Sequence, residues 1–129
     1  MGKNTLALLL GFFSISMLVQ ASEYMSAEEV KKLMTGKTFD GVYLPIGKPF
    51  SAYESPDGTH NVYYPKTDKR SKNRIWFITA KGQHCTANKK WPEAHCSHLK
   101  YAGNGEYHKI NKDGKHTHIL TNFRRGNQL

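Results

Sequence analysis

From Lys37 onward, hydrophobic and polar residues alternate in short runs separated by turn residues, the pattern of half-buried β-strands. The predicted strands are Thr38–Tyr43, Pro49–Glu54, Thr59–Tyr64, Arg74–Thr79, Gln83–Ala87, His95–Tyr101, Glu106–Ile110 and Lys115–Leu120. Each boundary has turn chemistry. In Ser55-Pro56-Asp57-Gly58, Pro presets φ, Asp caps locally and Gly accepts a positive φ. Gly103-Asn104-Gly105 and Asn111-Lys112-Asp113-Gly114 join the later strands, while Pro65–Asn73 reads as a polar loop and Asn122–Leu129 as a polar, basic tail. About eight short strands linked by tight turns predict an antiparallel meander curled into a small barrel, with a two-sheet sandwich as the alternative. Phe39, Phe50, Trp76 and Tyr101, each inside a strand, are the expected core aromatics.

The pattern differs before Lys37. Ser26-Ala27-Glu28-Glu29 is a capping box, followed by Val30, Leu33 and Met34 at helical spacing and by Gly36 as a stop, so one short amphipathic helix is expected. Upstream, Lys3, the apolar run Leu6–Val19 and the small-x-small site Val19-Gln20-Ala21 have the form of a cleavable export signal. The expected organisation is a signal peptide over residues 1–21 and a single β-domain over residues 22–129, periplasmic or secreted, with no transmembrane anchor after cleavage.

Export changes the reading of charge and of cysteine. The chain carries 19 Lys and Arg, of which Lys3 lies in the signal, so 18 face 10 Asp and Glu and the domain has a net charge of +8. A basic surface suits an anionic polymer, an envelope component or an acidic protein, and outside the cytoplasm nucleic acid is not favoured. Cys85 and Cys96, an even pair in an oxidising compartment, are expected to form a disulfide.

Three constellations carry candidate chemistry. The densest is His84-Cys85 with His95-Cys96-Ser97-His98, thiolates and imidazoles that suit zinc or copper, although the expected disulfide competes with thiolate ligation and leaves His84, His95 and His98 as ordinary strand residues or supporting ligands. His116 and His118 are two apart on a strand that follows the strand of His108, which makes these three imidazoles the candidate ligands for zinc or copper. Trp91, beside Lys89 and Lys90 and before Pro92, is a candidate for stacking on a partner or for plugging the barrel end, and Arg124 and Arg125 add basic groups. Templates for serine hydrolases, zinc proteases, P-loops and dinucleotide folds are missing. The expected function is a non-enzymatic binding protein of the cell envelope, presenting a basic, aromatic-containing surface or barrel mouth and needing no cofactor. The alternatives are a periplasmic metal-binding protein and a small hydrolase or nuclease.

Met25-Ser26-Ala27-Glu28-Glu29-Val30, Gly36-Lys37-Thr38-Phe39-Asp40-Gly41 and Phe50…Tyr53…Ser55-Pro56-Asp57-Gly58 carry a resemblance. In this layout, with its late paired cysteines, the chain resembles a loose group of small exported proteobacterial β-barrel-like proteins. The resemblance implies a periplasmic barrel-like domain and brings no catalytic residues with it.

Overall fold

A computed structural model describes residues 23–129. The expected signal peptide and the residue that follows it lie outside the described residues. One helix precedes nine strands: α1 (Ala27–Met34), β1 (Lys37–Tyr43), β2 (Lys48–Glu54), β3 (His60–Tyr64), β4 (Lys69–Arg70), β5 (Arg74–Ile78), β6 (His84–Asn88), β7 (His95–Gly103), β8 (Glu106–Ile110) and β9 (His116–Arg125). The strands form one antiparallel sheet in the order β4-β3-β2-β1-β9-β8-β7-β6-β5. A single sheet excludes the sandwich. It curls into a half-barrel, and its two ends are stitched by a bridge between Thr59 and Ile75. The Trp76 backbone N–H donates to Gly58 O at 2.9 Å and its indole N–H to Ser55 O at 2.8 Å across the same seam.

Local chemistry accounts for α1. The Ser26 hydroxyl accepts from the Glu29 N–H at 3.2 Å while Glu29 Oε1 accepts from the Ser26 N–H at 3.0 Å. Val30 and Met34 on one face are buried and join Phe39, Ala52, Val62, Trp76, Leu99 and Leu120 in the core. The helix therefore closes the end of the half-barrel where β1 begins. Just before it, the chain passes so close to the turn after β5 that a Cβ on Gly82 would lie 2.8 Å from Met25 O.

Three features depart from the sequence reading. The ninth strand, β4, is a two-residue piece within the polar loop, and β9 runs on to Arg125 through residues read as tail. A bulge makes that extension feasible: Asn122 sits at φ 56° opposite β1 and resets the pairing so that Arg124 and Arg125 face Thr38 and Lys37. Tyr101 is also not core. It shares the inward side with Leu99 but lies beyond the covered region, 55% exposed, with its ring 5.0 Å from that of Tyr107.

The disulfide is present. Cys85 and Cys96 stand directly opposite each other on β6 and β7 and are bonded.

Candidate functional site

Alternation along each strand decides which side chains enter the half-barrel. The inward set is Phe39, Gly41 and Tyr43 on β1; Lys48, Phe50, Ala52 and Glu54 on β2; His60, Val62 and Tyr64 on β3; and Arg74 and Trp76 on β5. It continues with His84 and Thr86 on β6, His95, Ser97 and Leu99 on β7, Lys109 on β8, and His118 and Leu120 on β9. Apolar members of this set fill the end nearest α1. Toward the other end they leave a cavity of about 360 Å³.

The floor of that cavity is a chain of buried polar groups. Glu54 is fully buried, and both of its oxygens are used: Oε1 accepts from His60 Nδ1, and Oε2 accepts from His84 Nε2 at 2.7 Å. Lys109 Nζ, on a side chain buried with its residue only 8% exposed, donates to His84 Nδ1 at 3.1 Å.

The proton positions follow from the partners. A carboxylate only accepts, so His60 Nδ1 and His84 Nε2 both carry hydrogens, and His84 Nδ1 must present its lone pair to the ammonium. Burial works against the charge of Glu54, but the two imidazole donors outweigh it and hold the carboxyl well below the usual carboxylate range. Burial and then the adjacent Lys109 charge push His84 down to about 4, so this ring is neutral at neutral pH. Burial lowers Lys109 to about 8, against the pull of Glu54, which leaves the amine charged at neutral pH. His118 faces Lys109 across the β8–β9 pair. It is pushed down to about 3, chiefly by burial and then by Lys109 and the neighbouring imidazoles.

The lining is unbalanced in charge. Lys48, Arg74 and Lys109 line the cavity with His60, His84, His95 and His118, and no carboxylate lines it. Glu54 touches the space only through the two imidazoles bonded to it. Aromatic rings frame the mouth. The Lys48 amine lies 4.1 Å above the ring of Tyr64, whose hydroxyl accepts from Arg74 Nη1 at 3.0 Å. Arg74 also lies 5.2 Å from the Trp91 ring, which stacks on His95 at 4.3 Å.

The expected site residues fall in three places. Trp91 is at the cavity mouth, half-buried, with Lys89 and Lys90 exposed in the turn beside it. Arg124 lies away from the cavity, paired with Asp40 at 3.2 Å, and Arg125 follows it at the exposed end of β9.

The three candidate metal ligands are not brought together. His108 and His116 pack ring to ring at 5.1 Å on the outside, whereas His118 turns into the cavity against Tyr43. A bulge at Thr117 is the cause. Lys109 pairs with His118 but Ile110 pairs with His116, so one extra residue breaks the two-residue periodicity that would have put both imidazoles on one face. Among the described residues, no group of three His, Cys, Asp or Glu side chains is placed to hold a metal ion.

Glu54, His60 and Lys109 were not singled out from the sequence, and His84 was weighed only as an alternative metal ligand. One signal for them was available. The Ser55–Gly58 turn fixes a hairpin register in which Glu54 faces His60, and both share the inward parity of Ala52 and Val62.

No protein-family model, no curated protein and no solved structure matches the chain.

Proposed function

We propose that the protein is an exported, non-enzymatic binding protein that takes the anionic group of a partner into the mouth of the half-barrel. One observation carries this reading: the cavity presents three cations and four imidazoles and no carboxylate. A like-charged concavity walled by low-dielectric side chains concentrates anions. The Cys85–Cys96 bridge fits work in an oxidising compartment, periplasmic or secreted. Among the described residues no helix is long and apolar enough to cross a membrane.

The test is a titration with acetate, benzoate, inorganic phosphate and dextran sulfate at low ionic strength, read by tryptophan fluorescence and by thermal unfolding. At least one anion should shift both signals, less so as salt is added. The Lys48→Ala/Arg74→Ala double variant should lose most of the response. Silence toward every anion, or an equal response in the double variant, refutes the reading.

A hydrolytic reading has one specific observation in its favour. The Glu54 carboxylate fixes His60 Nδ1–H and leaves Nε2 toward the cavity, the arrangement of an oriented general base. Turnover of a chromogenic ester or phosphodiester that disappears in His60→Gln would make this reading the correct one.

A further inference from the structure

Anion attraction alone does not use the shape of this cavity. Its walls differ in chemistry. Phe50 on β2, with Tyr43 at the end of β1 and Ile46 just after it, forms an apolar side, backed by the buried Phe39, Val62 and Leu120. Thr86, Ser97 and Lys109, from β6, β7 and β8, form a donor side.

That donor side is under-used. The Lys109 ammonium has three N–H donors, and among the described residues its one acceptor is His84 Nδ1. Ser97, 8% exposed, and Thr86 line the same space, and neither hydroxyl is a buried orphan, so both reach the cavity. A buried ammonium with two free donors, in a cavity that two hydroxyls also line, is a seat for one compact oxyanion. The same cavity exposes apolar surface of Tyr43, Ile46 and Phe50 that an inorganic ion would leave bare. A volume of about 360 Å³ lies at the small end of the range for organic-ligand sites.

We infer that the cavity binds a small organic acid, with its single carboxylate on Lys109, Ser97 and Thr86 and a ring-sized apolar body against Phe50, Tyr43 and Ile46. This inference rests on the reading of the cavity as an anion-receiving site. The carboxylate supplies the acceptors that the protein withholds from Lys109. The body covers the apolar side. Trp91 and Tyr64 then frame the opening behind it. A polymer or a folded partner would meet only the mouth and would leave the floor donors unfilled.

Calorimetric titration of the intact protein with benzoate, benzamide, acetate and inorganic phosphate tests this. Benzoate should bind at least tenfold more tightly than each of the other three. Lys109→Met should abolish the preference for benzoate over benzamide. Phe50→Ala should weaken benzoate severalfold and leave acetate unchanged. Ser97→Ala, which removes one hydroxyl and no charge, should also weaken benzoate severalfold, and it decides the matter if Lys109→Met fails to fold.

Benzamide binding as tightly as benzoate overturns the carboxylate seat. Acetate or phosphate binding as tightly as benzoate overturns the apolar body while leaving the anion-receiving site standing. If none of the three anions binds, this inference falls, and the anion-receiving reading falls with it only if dextran sulfate is silent as well.

Discussion

Replacing Lys109 with methionine should make the ligand-free protein more stable. Methionine keeps a long unbranched chain, so the packing of the stem is retained. What disappears is a buried charge, 8% exposed, with one protein acceptor at 3.1 Å. Burial lowers the pKa of this amine from 10.5 to about 8. That drop of about 2.5 units corresponds to about 3 kcal/mol by which the folded state disfavours the charged form. The substitution also leaves His84 Nδ1 without its donor, a cost of about 1–2 kcal/mol. The balance is a gain of about 1–2 kcal/mol at neutral pH.

Urea unfolding followed by tryptophan fluorescence measures it, as a higher midpoint at unchanged slope. The pH dependence has a defined sign. Between about 8 and 10.5 the unfolded lysine holds its proton while the folded one has released it, so the wild type gains stability as pH rises through that window and the variant does not. The wild type regains about 3 kcal/mol across that window, so the gap should close and then reverse as pH approaches 10.5. A loss of more than about 1 kcal/mol in the variant at neutral pH would refute the reasoning, because it would mean the amine is fully compensated inside the protein.

Gly41→Ala should shrink the cavity. The backbone there tolerates alanine, but its Cβ would lie 2.4 Å from the tip of the Phe50 ring, which must swing inward, so benzoate binding should weaken while stability falls by only about 1 kcal/mol. Acid should destabilise the fold: His84 and His118, held down to about 4 and about 3, stay neutral when folded while their unfolded counterparts take up protons below about 6.5. Each then contributes a loss of about 2 kcal/mol between about pH 7.5 and about pH 5, measurable as a falling urea midpoint. Reducing the Cys85–Cys96 bridge, which spans 11 residues, should cost about 3 kcal/mol, and the oxidised chain should weigh two hydrogens less than the reduced one by mass spectrometry.

What could be read from the sequence was local. The capping box at Ser26, the strand alternation and the turn chemistry each depend on residues within a few positions, and all three lead to elements seen in the structure. The opposed cysteines needed only a compartment and a hairpin. The errors came from single-residue insertions and from distance. Bulges at Thr117 and Asn122 have no strong signature, yet one removes His118 from its expected companions and the other adds the last stretch of β9.

The Glu54–His60 half of the floor was within reach of hairpin register. The His84–Lys109 half was not, because His84 Nε2 and Glu54 are 30 residues apart and meet only when the sheet curls. Candidate metal ligands drew attention because histidines cluster in sequence near the end. The histidines of the cavity are instead gathered from four different strands.

The pairing of β1 with β9 also governs the order in which this protein can be built. A ribosome releases the first strand long before the last, and β1 needs residues 116–125 to complete one of its two edges. Hairpins β2–β3 and β5–β6 close from nearby residues and can form while the chain is still emerging. The β1 edge cannot. It stays open, with Phe39 and Val42 on the strand, until the final segment arrives and locks with Thr38, whose hydroxyl donates to Gly126 O at 2.6 Å and accepts from the Gln128 N–H at 2.9 Å. Until then the chain has an unprotected sheet edge that invites pairing with its neighbours. Synthesis that stalls before β9 therefore produces an aggregation-prone intermediate, and the arrival of β9 is the step that covers this edge.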